Sequence, residues 1–432
     1  MLRFSVLTAV VLCALSTAAQ QALTDTHLDS LAADHKVIFF GNGEEPANDS
    51  IRALYMKFYR DQFRHFQDPL APYFLFMSKD SNLAMGMGGM VRMRGYLDWG
   101  GAIGQPAFAP ALIPMHRDPA KDKYFGTTPA GTALYFRLLG KNSKIGDFQF
   151  YIEMNFNGYE SRDCHLKKSY AIINDWTIGL ASSTFGDNLA LPPVIDASGP
   201  NAKMAASPVL VRWMHSFRNK YTVALSVETP SDAIQTQAGV TEKVNQWIPD
   251  FAAFGQINWG PSNHLRLSGI LRALPYRNLI EGRNRTVWGW GLQASTTFHP
   301  LPQITVYGAF NCGHGYASLG GDWLFGAYDL VPDPQTPGRL FAPFAFGGWG
   351  SVQYNFTSDF FVSATVSGAR YAPGIDPGPD EYRSGLYMAY NAYYYLTPRI
   401  SFGAEFNLGR RRNFSGQTGW ARRFGMLAAF SF

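Results

Sequence analysis

Ile400-Ser401-Phe402-Gly403-Ala404-Glu405-Phe406-Asn407-Leu408-Gly409 carries an apolar side chain at every even position and a small or polar one at every odd position. Period two puts each set on one face of a strand. The same alternation runs through Phe148, Phe150, Ile152, Met154 and Phe156 against Gln149, Tyr151, Glu153, Asn155 and Asn157. It returns in Leu386, Met388, Tyr390, Ala392 and Tyr394 against Tyr387, Ala389, Asn391 and Tyr393. In a soluble sandwich the apolar face would point to a core. In a barrel crossing lipid it points outward and the polar face lines the interior.

Working outward from these three, the chain divides into strands near 85–99, 130–140, 147–157, 164–173, 176–185, 205–217, 220–229, 250–259, 264–274, 285–298, 303–313, 341–355, 359–371, 383–396, 399–410 and 418–432. The connections alternate between tight ones, such as Asn174-Asp175, Arg218-Asn219, Pro261-Ser262 and Thr397-Pro398, and long ones near 100–129, 186–204, 230–249 and 314–340. Membrane barrels sort their loops this way, and sandwiches have no reason to. The reading is an all-β chain: a sixteen-stranded antiparallel transmembrane β-barrel, porin-like. Trp176, Trp259, Phe298 and Phe356 fall beside the tight turns, and Trp99, Trp247, Trp288 and Trp420 toward the long loops, as two aromatic girdles would. The alternating Phe424, Met426, Ala428, Phe430 and Phe432 resemble the terminal signal of bacterial outer-membrane barrels.

Composition agrees. Aromatic residues make up 15%, charged residues only 16%, and glycines number 43. Mean hydropathy is −0.12, so alternation rather than long apolar runs carries the hydrophobicity. Arg3, the apolar run from Phe4 to Leu15 and the small residues Ser16 to Ala19 read as a signal peptide over 1–19. That run is shorter than the roughly 20 residues of a membrane helix. Exported, the chain is expected in the bacterial outer membrane, in contact with its lipid. Residues 20–83 read as a periplasmic segment with one amphipathic helix: Asn48-Asp49-Ser50 offers an N-cap, and Ile51, Leu54, Tyr55, Phe58, Tyr59, Gln62, Phe63 and Phe66 recur at helical spacing. The barrel is expected over 84–432.

In a pore, selectivity comes from charges lining the lumen. With Met93 and Leu97 toward lipid, Arg92, Arg94, Tyr96 and Asp98 turn inward. The same parity turns inward Arg137, Arg212, Arg266, Arg272, Arg285, Arg399, Arg411 and Arg423, with the acids Glu153, Glu228 and Glu405. A mid-strand arginine facing lipid would cost roughly 2–4 kcal/mol. Arginine in excess of acid suggests an anion-attracting lumen; alternatively, these arginines pair with the acids and stiffen the wall. The stretch Asp187-Asn188-Leu189-Ala190-Leu191-Pro192-Pro193-Val194-Ile195-Asp196-Ala197-Ser198-Gly199-Pro200 is apolar for a loop in water. A constriction loop folded onto the inner wall explains Leu191, Pro192 and Pro193 between Asp187 and Asp196; a lid or subunit-contact loop is the other reading.

Cys164 and Cys312 form no disulfide framework or zinc spacing, and no metal or other cofactor is expected. The scattered His215, His264, His299 and His314 stand near no nucleophile motif, and there is no phosphate loop. An enzyme is therefore not expected, nor nucleic-acid binding.

The run Met90-Val91-Arg92-Met93-Arg94-Gly95-Tyr96-Leu97-Asp98-Trp99-Gly100 resembles the first strand of DcaP-like outer-membrane porins. The strand Phe148–Phe156, the hairpin Tyr170–Leu180 and Ser183-Thr184-Phe185-Gly186-Asp187 share the likeness, and Asp68-Pro69-Leu70-Ala71-Pro72-Tyr73-Phe74 resembles the Bacteroidetes-type members. The resemblance implies a sixteen-stranded barrel, a homotrimer, a periplasmic N-terminal helix and a preference for negatively charged solutes such as dicarboxylates. Passive diffusion of small anions is the leading expectation. The alternative is a structural or interaction barrel with a closed lumen and partner-binding surface loops.

Overall fold

The computed structural model describes residues 36–42, 63–70, 72–80, 82–156, 163–218, 220–260, 262–375 and 377–432. The expected signal peptide over 1–19 and the helix N-cap at 48–50 lie outside these. So do residues 51–62 of the helix.

The first three strands are β1 (Lys36–Phe40), β2 (Phe74–Ser78) and β3 (Leu83–Trp99). Next come β4 (Lys123–Thr128), β5 (Ala133–Asn142), β6 (Gly146–Phe156), β7 (Cys164–Ile173) and β8 (Trp176–Leu180). They are followed by β9 (Val209–Phe217), β10 (Tyr221–Glu228), β11 (Thr241–Lys243), β12 (Asp250–Trp259), β13 (Asn263–Asn278), β14 (Arg283–Leu301) and β15 (Ile304–His314). A minor hairpin, β16 (Val331–Pro332) and β17 (Leu340–Phe341), precedes β18 (Phe344–Asn355), β19 (Phe360–Ala372), β20 (Tyr382–Thr397), β21 (Ile400–Asn413) and β22 (Thr418–Ser431).

Each barrel strand pairs antiparallel with the next, and β22 pairs back onto β3 from Arg422↔Trp99 to Ser431↔Met90, closing a sixteen-stranded barrel. β4 and β5 share one barrel position beside β3, interrupted at Pro129, which has no N–H to give the ladder. β11 likewise extends the position of β12 along β13. Below the barrel, β2 pairs antiparallel with the lower end of β3, and β1 pairs parallel with β2. Phe432 exchanges backbone hydrogen bonds with Gly89, and its ring stands where a Gly89 side chain would be.

Burial follows the alternation inside out. In β10, Tyr221, Val223, Leu225 and Val227 are exposed, and Thr222, Ala224, Ser226 and Glu228 are buried. Leu225, Leu267 and Phe310 are 54%, 61% and 54% exposed. Each would lose roughly 1.5–3 kcal/mol of burial if that surface met water, so lipid is its medium. Among the described residues no helix is long and apolar enough to cross a membrane; the strands cross it. Trp176, Trp259 and Phe356 are exposed beside tight turns and Trp288 near the opposite rim, whereas Trp247 projects from a loop. Asn174 and Arg218 take φ of 51° and 53°, the left-handed geometry of two-residue hairpin turns. Two connections on the long-loop side, 279–282 and 414–417, are also tight, so the sorting of loops is less strict than the sequence suggested.

β8 stops at Leu180 and β9 starts at Val209, because the chain between them leaves the wall and folds inward. The connections 100–122 and 315–330 do the same. Phe185, Ala190, Ala202, Tyr316, Leu319, Trp323, Trp349 and Tyr382 form one buried cluster between loops and wall. Phe108, Ile113, Val194, Tyr387, Ala389 and Ala421 form a second, and Met90, Ile195, Phe361, Tyr393 and Leu427 a third. The lumen is thus packed along the β12–β22 side.

Residues 63–70 correct the expectation of a wholly periplasmic lead. They lie inside the barrel: Phe63 packs on Phe254 and Ala224, and Phe66 on Phe361 and Tyr393, all inward-facing. Phe63 and Phe66, expected on a helix, sit in turns.

Candidate luminal site

The inward arginines hold the loops as much as they line the wall. Arg94 donates from Nη1 to the carbonyl of Ile195 (3.1 Å) and from Nη2 to that of Ala130 (2.6 Å). Arg92 donates to the backbone and side-chain oxygens of Gln67 (2.7 and 3.3 Å). Arg212 donates to Ser182 O (3.0 Å) and stacks its guanidinium 3.7 Å from the centre of the Phe63 ring. Arg266 reaches Gln256, the carbonyl of Gly186 and Asp187, with its charge 4.1 Å from the Phe254 ring. Arg92, Arg94, Arg137, Arg212, Arg266, Arg272 and Arg423 are all buried. That is the inward placement the lipid cost requires.

Several of these charges are neutralised. Arg423 grips Asp98 with two hydrogen bonds (2.6 and 2.9 Å) and also donates to the carbonyls of Gln105 and Pro106. Arg272 pairs with Asp250 (3.0 Å) and Asp329 (3.2 Å) and donates to carbonyls of Gly315 and Ser231. Arg285 departs from the luminal set: it is half-exposed at the outer end of β14 and closes onto Glu281 at 2.6 Å. The paired hydrogen bonds from Arg285 and then Arg283 hold the Glu281 carboxyl below its usual range. Arg399 lies 5.2 Å from the ring of Tyr73, and Arg411 donates to Ala111 O.

The expected constriction loop lies against the wall along its whole length. Asp187 accepts from His264 (2.8 Å), Ser295 (2.6 Å) and Leu189 N. Thr297 donates to Leu189 O and Trp349 Nε1 to Ala190 O. Leu191 is half-buried and Pro192 and Pro193 buried, with Pro193 O accepting from Asn391 (2.7 Å) and Ser363. Glu405 binds the loop's Ile195 and Asp196 amides (2.8 and 2.9 Å), and Glu228 binds Ser183 Oγ and Thr184 N. Asp196 in turn accepts from the Phe108 amide, tying this loop to the one over 100–122.

A cavity of about 210 Å³ remains beside the β5–β9 wall, lined by Phe63, Arg137, Gln149, Lys168, Thr177, Ser182 and Arg212 among others. Its described lining carries three cations and no carboxylate. Arg137 donates to Gln149 (3.1 Å), and its charge lies 5.6 Å from the Tyr151 ring. Nearby, Glu153 takes Lys167 (2.7 Å), and Asp68 takes Lys167 and Lys168 (2.8 and 3.0 Å).

Parity reasoning missed Lys167 and Lys168, because adjacent strand residues should face opposite ways. A register shift puts Glu153 opposite Lys168 and Met154 opposite Leu166, leaving Lys167 as the extra residue of a bulge. Both lysines then reach the interior. Lys203 was also missed; it sits on the inward loop and donates to the carbonyls of Ala197 and Gly199. Among the described residues no group of His, Cys, Asp and Glu could hold a metal ion.

No protein-family model matches the chain, and no curated protein matches it. Solved structures do. The outer membrane channel DcaP of Acinetobacter baumannii superposes with a TM-score of 0.71 at 16% identity, over 83% of this chain and 99% of that one. The anion-selective porin from Comamonas acidovorans matches with a TM-score of 0.53 at 10% identity, over 81% of this chain and all (100%) of that one. A loop-deleted OmpT, an outer membrane protein of Vibrio cholerae, matches with a TM-score of 0.52 at 9% identity, over 81% and 100%. The barrel is DcaP-like in fold.

Proposed function

We propose that this barrel is an outer-membrane porin through which small anionic solutes, dicarboxylates among them, diffuse passively. The observation that carries the reading is the cavity beside β5–β9, where Arg137, Lys168 and Arg212 converge on one open volume. Low-dielectric walls focus the field of such a group. Salt screens charges beyond about 8–10 Å, so only a narrow passage can select. Arginine forks match carboxylates, and two separated cations suit a solute charged at both ends. Arg92 and Arg94, whose bonds go to neutral oxygens, add to the positive potential. The charges of Arg266, Arg272 and Arg423 are largely matched by Asp187, Asp250, Asp329 and Asp98 and add less. The fold shared with an anion-selective porin supports the same reading.

Reversal potential in a planar bilayer under a KCl gradient tests it. Wild-type protein should prefer chloride, and Arg137→Glu with Arg212→Glu should move the potential toward that of potassium. A wild-type channel without anion preference would sink the proposal.

A second reading, a barrel of closed lumen whose surface loops bind a partner, is favoured by the packed loops on the β12–β22 side. Absence of any current from correctly folded protein would select it. We further infer a homotrimer, with subunits meeting on outer-face small residues such as Ala364 and Gly368, where Gly348 and Gly368 stand directly opposite. Mass measurement in mild detergent should give three chains, and a monomer alone would contradict this.

A further inference from the structure

The outward face of the wall is uneven between β8 and β14. Trp176, Trp213, Leu225, Ala253, Gly269 and Leu292 stand opposite one another in that order, one on each neighbouring strand. The row drops to a low floor at Ala253 and Gly269. Beside it runs a taller row, Val227, Phe251, Leu271 and Trp290, also in register. Together they enclose a trough of about 810 Å³ on the lipid side of the barrel. That volume is in the range of built ligand sites, roughly 300–1,000 Å³. The trough climbs the wall. Trp176 is the first residue after the tight turn Asn174-Asp175, whereas Leu292 lies midway along β14 (Arg283–Leu301). Tight turns face the periplasm, so the trough runs from that rim toward the middle of the membrane.

We propose that this trough binds one glycerophospholipid of the periplasmic leaflet, with an acyl chain laid over Ala253 and Gly269 and the phosphate at the turn between β9 and β10. The inference concerns the outer wall and holds whether or not the lumen conducts. Lipid tails are as apolar as the wall, so burial alone keeps no lipid in place; packing and headgroup bonds must. A trough supplies the packing, because a tail in it touches side chains at its flanks as well as beneath. Charge supplies the rest, and it lies at one end. Arg218 and Lys220 are exposed on the β9–β10 turn, the Lys220 ammonium 5.5 Å from the centre of the Tyr221 ring. The acid nearby, Asp175, is taken by His215 Nδ1 at 2.7 Å. That imidazole lies parallel to Trp213, with centroids 6.1 Å apart, and meets Phe217 at 4.6 Å, so the wall at this end of the trough is braced. Basic side chains at a membrane surface attract anionic headgroups, and the arginine fork fits a phosphate. Trp176 and Trp259 mark the same end as the interface, where headgroups lie. The far end offers no equivalent. Trp290 packs on His314 there, and Arg283 and Arg285 beyond it are already closed onto Glu281. The polarity of the trough therefore selects a lipid whose head is at the periplasmic rim. It also stays clear of the β18–β19 face inferred above for subunit contact.

The test is native mass spectrometry of the full chain, delipidated in detergent and titrated with dioleoyl phosphatidylglycerol. Wild type should bind one lipid per chain well ahead of any further ones. Ala253→Leu with Gly269→Leu fills the floor. A side chain at Gly269 would meet Leu292 Cδ2 at 3.4 Å and Gly291 O at 3.7 Å, ordinary contact, so the barrel should keep its heat-shifted electrophoretic mobility. This variant should weaken the first lipid roughly tenfold, through lost packing. Arg218→Asn with Lys220→Gln removes the charges, asparagine tolerating the positive φ of the turn. It too should weaken phosphatidylglycerol roughly tenfold. Should the filled variant not fold, the turn variant decides alone. Equal binding by wild type and the folded, filled variant would mean ordinary annular lipid only and overturns the site, as does a turn variant that binds like wild type. Displacement of phosphatidylglycerol by an equal concentration of lipid A would assign the trough to the outer leaflet and overturn it as well. If filling the trough splits an oligomer into single chains and leaves lipid binding unchanged, a second copy occupies it and the proposal falls.

Discussion

Arg423 and Asp98 are brought together by the closing of the barrel, one on β22 and the other on β3, and neither side chain is more than 3% exposed. Asp98 would be an uncompensated buried charge without Arg423, and Arg423 without Asp98 would be left with the more distant Asp196 at 3.8 Å. Asp98→Ala should therefore cost about 3–5 kcal/mol, read from urea unfolding in a detergent that supports refolding. Adding Arg423→Met should return a large part of that loss, because the stranded cation goes with it. A cycle in which the two losses simply add would refute the coupling. At this scale the sequence was legible in direction and silent on partners. Parity with the lipid penalty turns mid-strand charges inward, and Arg92, Arg137 and Arg266 are buried. Nothing local says that Arg266 will meet Asp187, whose loop must first fold in. Lys167 and Lys168 were illegible for a different reason: a single bulge cancels the alternation on which parity counting depends.

The loop over 181–208 is held by paired acceptors, and that gives its test. Glu405 uses both carboxylate oxygens, one for the Ile195 amide and one for the Asp196 amide. Glutamine can keep one of these bonds and turns an NH₂ toward the other N–H. Glu405→Gln should leave the barrel folded, speed hydrogen exchange at those two amides by at least tenfold, and add flicker to single-channel records. Unchanged exchange would mean the loop is fixed elsewhere. The outer hairpin end around Glu281 offers a pH test. Its carboxyl is held low by Arg285 and Arg283, so the clip is complete above the unfolded glutamate range and is lost as pH falls through the lowered folded value. Order at this tip should thus persist below the pH at which an ordinary glutamate protonates, and Glu281→Gln should abolish the dependence. Spectra of a label beside residue 281 would show either behaviour. Strands were the readable elements, since alternation is a strong signal and lipid exposure enforces it. The inward loops were only half readable. The apolar stretch near Leu191 betrayed one of them, whereas the segment at 100–122 reads as an ordinary outer loop until Phe108 and Ile113 are seen buried. The segment at 63–70 was misleading, because the spacing of Phe63 and Phe66 continues a helical pattern where the chain in fact turns inside the barrel.

Across the whole molecule, the interior is divided lengthwise. Tyrosines, tryptophans and loop backbone fill much of the β12–β22 side, and the cavity that Arg137, Lys168 and Arg212 line lies along β5–β9. A solute would therefore travel along one wall, off the barrel axis. Cysteine-reactive anions should label Thr177→Cys far faster than Ala389→Cys in a cysteine-free chain, and equal rates would argue against a lateral path. Barrel closure and strand number could be anticipated from patterning. The lengthwise division could not, because it depends on how three loops share one volume.

The seam between β3 and β22 has a consequence for how such a chain comes into being. Asp98 and Arg423 are 325 residues apart, so the first wall strand to be synthesised waits for the last. Until then β3 carries a bare row of amides and carbonyls, and joining distant segments is slow. An exposed edge of that kind also invites pairing with other chains. The half-made polypeptide must consequently be shielded during transit rather than folded piecemeal. A chain lacking residues 418–432 should accumulate as aggregate or be degraded, not as a fifteen-stranded barrel.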